Sequence, residues 1–100
     1  MLSSKERAAL RGAAHHLAVM VHVGHHGLTD SLRQSLDDAM RTHELVKIQF
    51  SKNGDVTAKY AANELARVMG ADVVQVIGRT ATLYRENPDL DDGKRRDQRS

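Results

Sequence analysis

Val19–Leu28 reads Val-Met-Val-His-Val-Gly-His-His-Gly-Leu. A β-branched run alternating with Met20 and His22 stops at Gly24, two histidines follow, and Gly27 precedes a helical pattern. Such a strand–loop–helix unit starts an α/β fold. A Gly-x-x-Gly loop before a helix also exposes backbone N–H groups at the helix's positive end, where a phosphate can sit. Two glycines three apart are also common in plain turns. The motif alone leaves cradle and turn both open, and the flanking chain has to decide.

Upstream, Ser3 or Ser4 can cap a first helix, with Glu6 in its opening turn where the dipole favours an acid. Leu10, Ala13, Ala14 and Leu17 recur at helical spacing, and Lys5, Arg7 and Arg11 fall largely off that stripe. Gly12 costs roughly 1 kcal/mol of helix propensity, so a close packing contact is expected there. Ala18–Val23 reads as the first strand. Downstream, Thr29 caps a second helix with Asp30 in its first turn. Its apolar stripe is Leu28, Leu32, Leu36, Ala39 and Met40, with Arg33, Asp37, Asp38 and Arg41 opposite. His43-Glu44 ends it, and Leu45–Phe50 is the next strand, with Lys47 and Gln49 alternating against Val46, Ile48 and Phe50. Residues 51–55 carry turn chemistry. A third helix is expected from about Thr57 to Met69, with Ala61, Leu65 and Val68 inward and Gly70 just beyond its end. Asp72–Ile77 and Thr80–Arg85 read as strands joined by the tight turn Gly78-Arg79, an antiparallel hairpin.

The order is α-β-α-β-α-β-β, an α/β domain with a mixed four-stranded sheet packed with three helices. Residues 1–85 form the domain. Residues 86–100 lack apolar periodicity and read as a disordered charged tail. One hundred residues suffice for one core, and the mean hydropathy of −0.52 lies on the polar side of ordinary. Residues 1–85 hold 11 Lys/Arg against 8 Asp/Glu, and residues 86–100 hold 4 against 5, so the basic excess sits in the domain. That suits contact with phosphates without setting a histone-like field. No cysteine is present, which excludes thiolate metal sites and thiol nucleophiles. The N-terminus reads as neither a signal peptide nor a membrane span, which makes the cytoplasm the expected compartment.

With these elements placed, four segments resemble one family. They are Leu10-Arg11-Gly12-Ala13-Ala14-His15; Val21-His22-Val23-Gly24-His25-His26-Gly27-Leu28-Thr29; His43-Glu44-Leu45-Val46-Lys47-Ile48; and Val74-Gln75-Val76-Ile77-Gly78-Arg79-Thr80 with Leu83-Tyr84-Arg85. In this order and at this spacing, residues 2–85 resemble the CRM domain, the chloroplast RNA-splicing and ribosome-maturation module, in its stand-alone YhbY-like bacterial form. The resemblance implies a fold similar to the C-terminal domain of translation initiation factor three. It implies binding of ribosomal RNA in large-subunit precursors during ribosome assembly, without catalysis, and it makes Gly24-His25-His26-Gly27 the loop that touches RNA. Val19 stands where relatives often have proline, which alters the approach to the first strand. The paired histidines make the loop's charge pH-dependent, because histidine titrates near 6.5.

The RNA-contact candidates are therefore Gly24, His25, His26, Gly27, Lys47, Arg79, Arg7, Arg11 and Arg85. Any single surface cation is more often solvated than liganded, so only convergence on one face would count. Phe50, Tyr60 and Tyr84 are the only aromatics. Recognition should then rest on backbone, shape and 2′-hydroxyl contacts, not on an aromatic stacking platform. Five histidines between positions 15 and 26 raise a metal site, but no compact ligand signature accompanies them. No cofactor, small-molecule substrate or membrane partner is expected, and the chain is expected to be a monomer. A protein-interaction adaptor using Arg33, Asp37, Asp38 and Arg41 is the alternative, and a histidine-based enzyme is a third class.

Overall fold

A hydroxyl side chain starts each of the three helices. In the computed structural model, which describes residues 2–24, 29–51 and 57–86, Ser3 precedes α1 (Ser4–Ala14). Its Oγ accepts from the Glu6 N–H at 3.1 Å, and the Ser3 N–H donates to Glu6 Oε1 at 3.1 Å. Two donors that a helix start leaves open are thereby met reciprocally. Thr29 caps α2 (Asp30–Thr42) by accepting from the Leu32 N–H, and Thr57 caps α3 (Ala58–Met69) by accepting from the Tyr60 N–H. Gly70 ends α3 at φ 66, a left-handed backbone that favours glycine.

The strands are β1 (Val21–Val23), β2 (Leu45–Phe50), β3 (Asp72–Ile77) and β4 (Thr80–Tyr84), in the sheet order β1-β2-β4-β3. β1 runs parallel to β2, and β4 runs antiparallel to both β2 and β3. The expected α-β-α-β-α-β-β order and mixed four-stranded sheet are therefore present, with the last strand inserted between β2 and β3. Gly78, at φ 58, opens the turn that returns β3 into β4.

One face of the sheet carries the main core. Val21, Val23, Val46, Ile48, Phe50, Ala81 and Leu83 meet Leu36 and Met40 of α2 and Ala61, Ala62, Leu65 and Ala66 of α3. The four small or branched residues of α3 sit at adjacent turns, which lets that helix lie close on the sheet. Among the described residues, only half of the opposite, outer face is covered. α1 packs there through Leu10 against Leu45 and Val74, with Leu2, Ala13, Leu17 and Tyr84 around them.

Several details depart from expectation. β1 starts at Val21, not Ala18, although the Met20 N–H still donates to the Lys47 carbonyl at 2.9 Å. β4 ends at Tyr84, and the Arg85 N–H reaches the Glu44 carbonyl beyond the ladder. Gly12 has no packing role, because a Cβ built there meets nothing within 4 Å. Val68 is 38% exposed, its place in the core taken by Ala62 and Ala66. Asp37 is half-buried, drawn inward by Arg85. The turn residues 52–55 and the tail from residue 87 onward lie outside the described residues.

Candidate nucleic-acid interface

Three pieces of chain meet at one end of the sheet. The Ser51 N–H donates to the Val23 carbonyl at 2.8 Å, and the Phe50 N–H donates to the Arg79 carbonyl at 2.7 Å. These bonds join the end of β1, the end of β2 and the hairpin turn. Gly24, the next residue of the first piece, therefore lies on the same end of the sheet as Arg79. Gly24 is exposed, its φ is not positive, and a Cβ there would meet nothing within 4 Å. The described fold thus has no need of glycine at this position. His25, His26 and Gly27 lie outside the described residues.

The half of the outer face that α1 leaves open adjoins this end. Strand alternation puts its residues in two rows. His22 is level with Gln49, Gln49 with Thr80 and Thr80 with Ile77. In the other row Lys47 is level with Thr82, and Thr82 with Gln75. The β3 register skips Val74, which brings Val74 and Gln75 to the same face. Val74 goes under α1, and Gln75 joins Lys47, Ile77, Thr80 and Thr82 around a hollow of about 210 Å³. Lys47 is half-buried and Arg79 exposed, and among the described residues neither side chain has an ion-pair or hydrogen-bond partner. This open half contains no acid among the described residues.

The remaining cations are placed differently. Arg7 donates through Nη1 to the Val73 carbonyl on the edge strand β3, so its guanidinium helps to cover an open sheet edge. Arg85 lies at the far end of the sheet. Its Nη2 is 3.3 Å from Asp37 Oδ1, and its Nη1 donates to the Met69 carbonyl at 3.1 Å, at the C-terminal end of α3 where a cation is favoured. Arg11 is exposed in the last turn of α1. The structure therefore places Gly24 and Arg79 at one end of the sheet and Lys47 further along, on the outer face that adjoins this end, and it gives Arg7 and Arg85 partners elsewhere. The polar residues of the two rows, His22, Gln49, Thr80, Thr82 and Gln75, are not among the sequence candidates. Their signal is the period-two alternation of polar and apolar residues in β1, β2 and β4, while the skip at Val74 leaves no trace in the pattern.

A hollow of about 600 Å³ lies at the other end of the sheet, beside α1. Glu6, Asp72 and Glu86 line it with Arg85, so its charge opposes a phosphate. Among the described residues no three His, Asp or Glu side chains are grouped to hold a metal ion, and no helix is long and apolar enough to cross a membrane. On α3, Arg67 Nη2 is 2.8 Å from Glu64 Oε2 and holds that carboxyl below its ordinary range.

Comparison with known proteins agrees with this architecture. The sequence model of the CRS1 / YhbY (CRM) domain matches residues 2–85. An "RNA-binding protein" of Haemophilus influenzae is 36% identical over 84 residues, covering 84% of this chain and 85% of that protein. The "Probable RNA-binding protein YqeI" of Bacillus subtilis is 32% identical over 87 residues, covering 87% of this chain and 91% of its own length. The solution structure of a hypothetical protein from Staphylococcus aureus superposes with a TM-score of 0.78 at 28% identity, over 91% of this chain and 95% of that one. With its three helices, mixed sheet and matched segments in order, the chain belongs to the CRS1/YhbY (CRM) domain family.

Proposed function

We propose that this protein is a non-catalytic, monomeric RNA-binding factor of the cytoplasm that holds ribosomal RNA in large-subunit precursors and assists their assembly. The observation that carries the RNA reading is a half-sheet with no acid among the described residues, with Lys47 on its face and Gly24 and Arg79 at its adjoining end. Unpartnered cations near Gly24, where even a Cβ would meet nothing within 4 Å, suit a phosphate backbone. The names of the relatives point the same way. The ribosomal target rests on the family resemblance. Residues 1–85 carry the activity, and the tail from residue 86 is accessory.

The adaptor alternative needs the α2 face to be available. Asp37 is already shared between Arg41, at 2.9 Å, and Arg85, and the Gln34 amide donates to Asp38 at 3.0 Å. That face is largely neutralised within the molecule, so it offers a partner little net charge.

Sedimentation of the protein with precursor particles, before and after ribonuclease treatment, tests this reading. Association that is lost on nuclease treatment and weakens as salt rises is expected, because each neutralised phosphate releases counterions. Association that survives both treatments contradicts it and favours protein contacts.

A further inference from the structure

Thr82 is the anomaly of the outer face. Its neighbours Ala81 and Leu83 point into the main core, so Thr82 faces the hollow shared with Lys47, Gln75, Ile77 and Thr80. It is 1% exposed, and its hydroxyl has no hydrogen-bond partner among the described residues. A buried hydroxyl without a partner is costly, and native structures seldom keep one without a use. Valine has nearly the same shape and a strong strand preference, so packing does not explain the threonine. The two residues level with it, Lys47 and Gln75, are half-buried, long and unbranched, and neither is held by a described partner. They are able to move aside and let a ligand atom reach the hydroxyl.

We propose that this hollow takes the base of an unpaired nucleotide, so that the RNA recognised contains a bulge or loop. The inference rests on the RNA reading above and specifies the kind of RNA. Thr82 and Gln75 each offer a donor and an acceptor, which match the hydrogen-bonding edge of a base only when that edge is not occupied by pairing. Ile77, 60% exposed at the rim, supplies apolar surface for the face of the base. Lys47 sits where it can meet an adjoining phosphate. At about 210 Å³ the hollow is smaller than the ~300–1,000 Å³ pockets that enclose free small molecules. One base of a longer chain held elsewhere is the better match.

The test uses the full chain and two RNA hairpins, one fully paired and one identical except for a two-nucleotide bulge. Affinities are measured for wild type, Thr82→Val and Gln75→Leu, with a thermal melt of each protein. The wild type should prefer the bulged hairpin by about tenfold, the worth of one to two hydrogen bonds. In both variants that ratio should fall toward one, and Thr82→Val should melt no lower than wild type. Wild-type binding without preference, or variants that keep the preference, overturn the hollow's role while leaving RNA binding standing. A lower melting temperature for Thr82→Val overturns the premise that the hydroxyl awaits a ligand. Failure to bind either hairpin removes the RNA reading itself, and this inference with it.

Discussion

Gly12 and Gly24 look alike in the sequence and differ in what they do. Neither has a positive φ, and a Cβ at either meets nothing within 4 Å. Gly12 is exposed inside α1, so its only effect on the described fold is a loss of helix propensity. Gly12→Ala should raise stability by about 1 kcal/mol in urea unfolding. Gly24 follows a strand at the proposed contact end, so its small size matters to a ligand. Gly24→Ala should leave the unfolding free energy within about 0.5 kcal/mol of wild type and weaken RNA binding several-fold in a filter-binding titration. Unchanged binding would make Gly24 a plain turn residue. Arg85 teaches the opposite lesson. Its sequence context suggested a ligand cation, yet the structure gives it Asp37 and a helix-end carbonyl.

At the scale of elements, Asp37 ties α2 to the end of β4 and, through Arg85, to the last turn of α3. Asp37→Ala leaves Arg85, 24% exposed, with only the Met69 carbonyl, and releases Arg41. A loss of about 1–2 kcal/mol is expected by chemical denaturation, with RNA affinity unchanged because the network lies away from the open half-sheet. The elements themselves were legible because local and tertiary signals agree. Ser3, Thr29 and Thr57 cap the helices, Gly70 ends α3, and Val21, Val23, Val46, Ile48 and Phe50 alternate toward one core. What pattern could not show was pairing between distant segments. The sheet order that inserts β4 between β2 and β3, the skip at Val74 and the inward turn of Asp37 all depend on contacts many residues apart. Val68 misled for a related reason. Two alanines one turn apart filled its share of the core, so a valine at helical spacing was left outside.

At the scale of the molecule, the fold divides its outer face in two. α1 closes one half over Leu10, Leu45 and Val74, and no other described residue covers the half next to the Gly24–Arg79 end. The acidic hollow lies at the far end, lined by Glu6, Asp72 and Glu86. Among the described residues, a polyanion therefore meets unpartnered cations toward one end of the sheet and carboxylates at the other, an asymmetry that would orient RNA before any base is read. By position, Lys47 and Arg79 are the two cations best placed to meet phosphates. The most direct measurement is the salt dependence of binding to a large-subunit ribosomal RNA fragment, for wild type and for Lys47→Ala/Arg79→Ala, with circular dichroism to verify folding. The slope of log affinity against log salt should be shallower in the double variant by about one for each cation removed. A folded double variant with the wild-type slope and affinity would contradict the placement of these two cations on phosphates.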